Sequence, residues 1–317
     1  MKEIRNFFSF LWGKNFLNVL EFLLVFLFIL FLPGLDYYEN LNSFWQKPEV
    51  LGFHFSIPPP LPIPKNKLGI LPLEFSAKAI FLVDLPTWMP IYQKNPHLRV
   101  PPASTAKIMT ALVSLDYYRL DDVLTVPNMD FQGQIIKLRA GEKMTVENLL
   151  HALLLASAND AAETLAANYP GGRKSFIEKM NQKAKELNLS NTYFTNPTGL
   201  DEEGQYTTAF DLALLSRAAI QNEVFTKIVS KKEFLISLVD QKKFYSLRNI
   251  NILLDKLPGI KGIKTGWTVS AGECLVSFYK KDEREIISVV LGSKDRFGET
   301  EKILNWVFEN FEWKIPV

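Results

Sequence analysis

Apolar runs of strand length lie near both ends of a long segment that begins at about residue 71. At its start, AKAIFLVDL (77–85) and PIYQKN (90–95) flank a turn at PTW, which predicts a hairpin. Near its end, three further runs predict strands: GIKGIKTG (259–266), ECLVSFYK (273–280) and EIISVVLG (285–292). We expect the two groups to share one sheet.

The residues between these groups show a helical period. The first predicted helix begins at Ser104, and its apolar face comprises Ile108, Met109, Leu112, Val113 and Leu115. Further helices are predicted for VENLLHALLLA (146–156), 160–168, 172–188, TTAFDLALLSRAAI (207–220) and the closing TEKILNWVFENF (300–311). The pattern therefore predicts an α/β fold, with a sheet formed from both ends of the domain packed against a helical region.

The amino-terminal part has a different pattern. Residues 16–35, FLNVLEFLLVFLFILFLPGL, form an apolar run that as a helix would span about 30 Å, the thickness of a bilayer core. Lys2, Arg5 and Lys14 precede the run, while acidic residues follow it. This asymmetry predicts a cytoplasmic tail at 1–15, a transmembrane anchor at 16–35 and an extracytoplasmic remainder. A cleaved signal peptide is the alternative, but no small-x-small cleavage pattern follows the run.

Residues 36–70 are predicted to be a proline-rich tether. They contain Pro58, Pro59, Pro60, Pro62 and Pro64 and show neither helical nor alternating periodicity. Proline favours the extended polyproline II conformation, so such a tether would reach on the order of 100 Å when stretched. The folded domain is predicted at 71–317.

Composition excludes some classes of function. The single cysteine, Cys274, cannot form an internal disulfide, and the histidines His54, His97 and His151 are too scattered for zinc spacing. Phosphate-binding GxxxxGK[ST] and dinucleotide-binding GxGxxG motifs do not occur. A net charge of +2 indicates neither a polyanionic partner nor its absence.

Ser104 and Lys107 are three positions apart at the start of the first predicted helix. Because residues i and i+3 share a helix face, Ser104 Oγ and Lys107 Nζ are expected to meet. No Asp or Glu occurs between 100 and 115, so nothing in this segment holds the lysine charged. Burial and a second cation would lower the lysine pKa from about 10.4 towards 7. The pair fits an activated nucleophile, although a single SxxK also arises by chance.

Two more short motifs follow in the chain. Ser157 and Asn159 form an SxN between two predicted helices, and residues 264–266 form a KTG at the end of a predicted strand. Taken singly, the first would be a helix cap and the second a polar strand end. A second SxxK, Ser277 to Lys280, lies in a strand, where residues three apart face opposite sides.

The three motifs, in this order and on these elements, resemble the signature set of penicillin-binding proteins and serine β-lactamases. The chain looks like a D-alanyl-D-alanine carboxypeptidase, a low-molecular-mass penicillin-binding protein, from about Leu71 to Phe311. The segments NPTGLDEEGQYTTAFDLALL, GIKGIKTGWT and DRFGETEKILNWVF are also similar to that family. Ala158, Thr198 and Trp267 depart from the residues common in it. The resemblance implies a β-lactamase/transpeptidase-like fold.

The resemblance also implies acyl transfer to a serine. Ser104 would attack the carbonyl carbon of a D-Ala-D-Ala peptide bond, with Lys107 as its base and Lys264 as the cation that keeps Lys107 neutral. Ser157 would pass the proton to the leaving amine, and Asn159 would hold the substrate amide and orient Lys107. No cofactor is implied.

The other implied residues bind the substrate. The backbone N–H groups of Ser104 and Trp267 would form the oxyanion hole. Gly266 would let the substrate lie against the strand, and Thr265 and Arg296 would bind the terminal carboxylate. For Arg296 a solvated surface position is the alternative. The expected partners are peptidoglycan stem peptides ending in D-Ala-D-Ala, β-lactams as covalent inhibitors, and the membrane, with no nucleic acid.

Other functions remain open at this point. A DD-endopeptidase would cleave the same kind of bond in crosslinked peptides, and a penicillin-sensing module would bind without turnover. A β-lactamase of class A would need a glutamate in an ExxLN pattern. In AKELN (184–188) that position is Ala184, and Glu186 fits the polar side of a helix. The intact motifs favour an enzyme over a binding module. The absence of a glutamate at position 184 predicts slow release of penicillin.

Overall fold

The computed structural model describes residues 15–30, 60–72 and 74–316. The chain divides into two compact units, residues 1–59 and 60–317. In the first unit the described residues form helix α1 (Asn15–Leu30), whose described side chains are exposed and mostly apolar. Within the described ranges no helix is both long and apolar enough to cross a bilayer. The predicted cytoplasmic tail before residue 15, the end of the predicted anchor and most of the predicted tether lie outside the described residues.

The second unit combines strands from its two ends with a helical middle. Its helices, after a 3-10 turn at Ala103–Ala106, are α2 (Lys107–Tyr117), α3 (Val146–Leu155), α4 (Asn159–Ala167), α5 (Gly172–Glu186), α6 (Ala209–Ala219), α7 (Glu223–Val229), α8 (Leu253–Lys256) and α9 (Arg296–Asn310). Its strands are β1 (Ile63–Asn66), β2 (Ala79–Asp84), β3 (Pro90–Lys94), β4 (Val123–Thr125), β5 (Lys143–Thr145), β6 (Glu233–Ser237), β7 (Phe244–Arg248), β8 (Ile260–Thr268), β9 (Gly272–Lys281), β10 (Arg284–Ser293) and β11 (Phe311–Lys314).

Five strands form one antiparallel sheet in the order β3-β2-β10-β9-β8. The two ends of the domain meet at its centre, where Phe81 of β2 pairs with Val289 of β10. On the other side of β10, β9 pairs with it and then with β8, where Thr265 faces Leu275. The predicted α/β arrangement is confirmed. Because β8 is one of the two edge strands, alternate backbone groups along it lack a neighbouring strand.

Helices cover both faces of this sheet. Every residue of β2 is buried, as expected for a strand between two layers. Successive side chains of a strand point to opposite faces. Accordingly Phe81 and Val289 pack into the helical middle, while Ile80 and Val290 pack against Ile303 of α9. The helical middle is therefore one layer, as predicted, and the closing helix is the other.

Small polar side chains fix where several helices begin. Thr145 caps α3 by accepting a hydrogen bond from Asn148 N, and Asp295 caps α9 by accepting one from Gly298 N. By contrast, α2 has no side-chain cap and continues directly out of the 3-10 turn. The hydroxyl of Ser104 in that turn therefore stays free for another role.

Three two-stranded pairings were not predicted from the sequence. They are β4 with β5, β6 with β7, and β1 with β11. In the last, Ile63 pairs with Lys314 and Asn66 with Phe311, although β1 lies inside the stretch assigned to the tether. The folded unit thus includes residues from Pro60 onward.

Candidate active site

The Ser104 and Lys107 side chains meet where the 3-10 turn becomes α2. Lys107 Nζ donates a hydrogen bond to Ser104 Oγ at 3.0 Å, as the i, i+3 spacing predicts. Ala103, directly before the serine, has a φ of +48°, a left-handed conformation that is strained for a residue with a Cβ. The turn therefore holds Ser104 in a position that a regular helix would not give.

Lys107 is fully buried, and its surroundings shift its pKa. Burial holds its pKa well below the ordinary value, and the positive charge of Lys264 lowers the pKa further. Asp160 and Glu163 of α4 act in the opposite direction. The sequence segment around Lys107 lacks carboxylates, but the fold brings these two near. Because Lys107 Nζ also donates to the Thr198 carbonyl at 2.6 Å, its position is fixed from two sides.

The SxN motif forms the junction between α3 and α4. Ser157 has a φ of +58° and its Oγ accepts a hydrogen bond from Lys264 Nζ at 2.9 Å. Asn159 is the first residue of α4, and its Nδ2 donates to the Gln132 carbonyl at 2.6 Å. Its Oδ1 is buried and has no hydrogen-bond partner among the described residues. An unpaired buried acceptor beside a cleft is suited to a substrate N–H.

Lys264 is the second buried cation of the site. Burial, followed by the charge of Arg296, lowers the pKa of Lys264 to about 7. Its Nζ also donates to the carbonyl of Thr265 at 3.1 Å. At neutral pH this lysine is therefore divided between its charged and neutral forms, and its charged form is the one that depresses the pKa of Lys107.

Two glycines allow the motifs to come this close. A Cβ on Gly266 of β8 would lie 3.1 Å from the backbone N of Ser104. A Cβ on Gly199 would lie only 1.8 Å from the Ala103 carbonyl oxygen, and Gly199 also has a φ of +81°. The absence of side chains at Gly199 and Gly266 therefore lets the backbone at these two positions pack directly against the turn that carries Ser104.

These elements surround a cleft of about 710 Å³. Seven of the predicted residues line it, namely Ser104, Ser157, Asn159, Thr265, Gly266, Trp267 and Arg296. Lys107 and Lys264 lie buried beneath it and reach it through the two serines. The structure thus brings all nine predicted residues together, while their individual roles remain predictions. A second groove, along α5, is about 810 Å³ and contains none of them.

Arg296 starts α9 at the edge of the cleft. Its Nη1 donates to the Gly266 carbonyl at 2.9 Å, and its Nε is buried with no partner among the described residues. The surface alternative for this residue is therefore not what the structure shows. A guanidinium with a donor to spare beside the cleft can bind a carboxylate.

Several residues that shape the cleft were not singled out from the sequence. Asn196 Oδ1 accepts hydrogen bonds from the N–H groups of Thr198 and Gly199, which sets the turn that presents the Thr198 carbonyl to Lys107. Its NPTG context is a turn signal that could have identified it. Asp160 accepts from Ile136 N and Leu138 N and so anchors the opposite wall. No local sequence signal marks Asp160.

Known proteins are similar to this chain in sequence. The model of peptidase family S11, D-alanyl-D-alanine carboxypeptidase, matches residues 66–295. The D-alanyl-D-alanine carboxypeptidase DacF of Bacillus subtilis is 38% identical over 250 residues, covering 76% of this chain and 64% of the relative. A D-alanyl-D-alanine endopeptidase of Pseudomonas aeruginosa is 33% identical over 253 residues, covering 77% of this chain and 81% of the relative.

The similarity extends to solved structures. The crystal structure of the Streptomyces K15 DD-transpeptidase is 30% identical, with a TM-score of 0.71, and the match covers 76% of this chain and all of that one. The chain spans about two-thirds of the length of its Bacillus relative (64%). The resemblance indicated by the three motifs is confirmed. The chain belongs to peptidase family S11, the D-alanyl-D-alanine carboxypeptidase family.

Proposed function

We propose that the protein is a serine-type D-Ala-D-Ala carboxypeptidase that removes the terminal D-alanine from peptidoglycan stem peptides. One observation carries the proposal. A fully buried lysine, with its pKa held well below the ordinary value, lies 3.0 Å from a serine hydroxyl that lines a cleft. A serine hydroxyl is a weak nucleophile and needs a neighbouring base, which a neutral lysine supplies.

Acylation follows from this geometry. Ser104 Oγ attacks the carbonyl carbon of the D-Ala-D-Ala bond while its proton moves to neutral Lys107 Nζ. The developing oxyanion lies between the backbone N–H groups of Ser104 and Trp267, which β8 brings near because Gly266 has no side chain. Removal of one such donor typically slows catalysis by about 10² to 10³.

Departure of D-alanine requires a proton on its amine nitrogen. Ser157 Oγ lines the same cleft and accepts a hydrogen bond from Lys264 Nζ, so it can give its proton to the amine and be reprotonated from the lysine pair, which holds the proton taken from Ser104. Water then attacks the ester on Ser104, and the same groups act in reverse order to free the serine. Arg296 and Thr265 hold the substrate's terminal carboxylate at the cleft edge.

The cleft favours this activity over that of a β-lactamase. Glu186, the glutamate nearest the ExxLN pattern, is exposed at the end of α5 and pairs with Lys179. Among the described residues that line the cleft, Asp201 is the sole carboxylate, and its oxygens already accept hydrogen bonds from Thr268 and Ser270. Among the described cleft residues no carboxylate is thus placed to activate water for a penicilloyl group on Ser104. The ring remnant of that group stays where the leaving D-alanine would have departed to admit water, so this acyl-enzyme should persist.

Three substrates test the proposal. We expect many turnovers of D-alanine release from a pentapeptide ending in D-Ala-D-Ala, and one equivalent of a chromogenic cephalosporin opened per chain with release over minutes or longer. Sustained hydrolysis of the cephalosporin at several per second would contradict the proposal in favour of a β-lactamase. Faster cleavage of a crosslinked peptide dimer than of the pentapeptide would make the protein an endopeptidase, the activity named for its Pseudomonas relative.

We further propose that the apolar segment at 16–35 anchors the protein in the cell membrane by a single pass, with the folded unit outside. Two observations support this location: the apolar character of α1 and the basic residues that precede it. An extracytoplasmic domain is also where peptidoglycan stem peptides are found, so the location is consistent with the proposed substrate.

A further inference from the structure

Asp201 joins two walls of the cleft through its carboxylate. Its Oδ1 accepts a hydrogen bond from Thr268 Oγ1 at 2.7 Å, and its Oδ2 accepts one from Ser270 N at 3.2 Å. The Thr268 hydroxyl also accepts a hydrogen bond from Ala271 N at 3.0 Å, so it is held on both sides. Hydrogen bonds to a carboxylate are stronger than those between neutral groups. The contact therefore ties the turn after β8 to the loop that carries Asp201.

The chain on the Asp201 side of this contact positions Lys107. The turn set by Asn196 presents the Thr198 carbonyl to Lys107 Nζ at 2.6 Å. Gly199 in the same turn lies against the backbone of the 3-10 turn that carries the serine. Asp201 is two residues beyond Gly199, so its carboxylate has a fixed place relative to the catalytic pair.

The chain on the other side carries the predicted oxyanion donor. Thr268 is the last residue of β8 and directly follows Trp267. Because β8 is an edge strand, no further strand supports its end on the side of the cleft. The indole of Trp267 is 59% exposed and adds little packing. Within the described part of the chain, this strand end is held by side chains on both sides of Trp267: Arg296 donates to the Gly266 carbonyl before it, and Asp201 accepts from Thr268 after it.

We propose that Asp201 is a positioning residue for acyl transfer, whose carboxylate holds the Trp267 backbone N–H at the right distance from Ser104. This inference rests on the proposed function, because it concerns the oxyanion formed during acylation. Asp201 does not touch the reacting atoms and acts only through Thr268 and the turn after it.

The proposal predicts an effect on rate rather than on binding or folding. The oxyanion exists in the transition state and not in the bound substrate, so a displaced donor lowers kcat and leaves KM nearly unchanged. Asp201 is exposed, and the buried Thr268 hydroxyl that its loss leaves without an acceptor keeps its hydrogen bond from Ala271 N, so the cost to folding is small. A net hydrogen-bond contribution of this kind corresponds to a change of about three- to tenfold in rate.

A double-mutant cycle tests this. Asp201→Ala and Thr268→Val each remove the contact from one side, and both should slow acylation by a cephalosporin and kcat for D-alanine release by about three- to tenfold. KM should stay close to that of the wild type, and the thermal midpoint should fall more in Thr268→Val, which also removes the acceptor of buried Ala271 N, than in Asp201→Ala. The double variant should be slower than either single by less than the product of their effects, because the Asp201–Thr268 contact is removed once while the bonds from Ser270 N and Ala271 N are lost separately. Thr268→Ser, which keeps the hydroxyl, should retain the wild-type rate.

Glu203→Ala is the matched control, because it removes an exposed carboxylate two residues from Asp201. It should leave the rate unchanged. Wild-type rates in Asp201→Ala, multiplicative slowing in the double variant, or equal slowing in Glu203→Ala would each overturn the proposal. A wild-type protein that neither releases D-alanine nor reacts with the cephalosporin would instead refute the proposed function, so the two failures are distinguishable.

Discussion

Lys107 and Lys264, the two buried lysines beneath the cleft, are the residues whose chemistry depends most on their surroundings. Each is nearly inaccessible to solvent, and each contacts the hydroxyl of a different serine. Burial is the main cause of both lowered pKa values, but the further contributions differ. Lys107 is influenced by Lys264, and Lys264 by Arg296. The charge of Arg296 therefore makes Lys264 easier to deprotonate, and the charge of Lys264 does the same for Lys107, which contacts the nucleophile Ser104.

Stability should therefore depend on pH through Lys264. Its pKa is about 7 in the folded protein and close to the ordinary 10.5 in the unfolded chain. Between these values the unfolded chain binds more protons, so the free energy of unfolding should rise with pH. Denaturant unfolding from pH 7.5 to 8.5 should show this rise, with the slope reduced in Lys264→Met by up to about 1.4 kcal/mol per pH unit.

Cys274 opposes this trend only weakly in the chosen window. Burial raises the pKa of that thiol to about 11 from 9.0, so its main effect falls between these two values and is shared by the wild type and the variant. Lys107 keeps part of the slope in the variant, because its pKa is lowered as well. Identical slopes in the wild type and Lys264→Met would show that Lys264 has an ordinary pKa in the folded protein.

At the scale of elements, the cleft depends on the close contact between the loop around Gly199 and the 3-10 turn. Gly199→Ala should be more damaging than a change in backbone preference alone, because its Cβ would lie 1.8 Å from the Ala103 carbonyl oxygen. Gly141 offers a matched control, with a φ of +84° and open space around it. Alanine at a left-handed position costs about 1 to 2 kcal/mol.

We expect Gly141→Ala to lose about that amount of stability while reacting with penicillin at the wild-type rate. Gly199→Ala should lose about 1 to 3 kcal/mol more, because the loop must move away from the turn, and its acylation should slow more than tenfold. Chemical denaturation measures the loss of stability, and labelling by a fluorescent penicillin measures the rate of acylation, in each variant. Equal effects of the two substitutions would mean that the close contact is unimportant.

The elements that could be predicted are those with strong hydrophobic patterns. The apolar runs of β2, β9 and β10 and the helical period of α2 and α3 correspond to the observed elements because burial determines both. β1 was missed because Pro64 and the prolines just before it favour polyproline II. A two-stranded ribbon tolerates Pro64, because proline is accepted in edge strands and β1 pairs with a single neighbour.

The site itself was predictable where chemistry follows from short spacing. Ser104 and Lys107 are close in sequence, and the i, i+3 rule places them together. Asp160 could not be assigned in this way, because its partner Leu138 N lies 22 residues away. Asn196 is marked by a local turn signal, but its place beside Lys107 depends on distant contacts. The sequence also lacks a signal for the approach of Glu163 to Lys107.

At the scale of the whole molecule, the proposed anchor makes a prediction about topology. Protease added to spheroplasts should cut the proline-rich stretch before residue 60 and release a soluble fragment that still binds penicillin, because the unit from Pro60 is compact by itself. Immunoblotting of the supernatant and pellet gives the result. A mature protein that begins between residues 30 and 45 without added protease would instead show that the apolar segment is a cleaved signal.

The most direct test of the account is the site of the acyl-enzyme. The full-length protein is incubated with benzylpenicillin, digested with trypsin and analysed by mass spectrometry. We predict one penicilloyl group per chain, on the peptide of residues 100–107, in which Ser104 and Thr105 are the only hydroxyl side chains. Ser104→Ala should fold normally and carry no adduct, because the acceptor oxygen is gone and little volume changes. An adduct on any other residue, or one that persists in folded Ser104→Ala, would contradict the account.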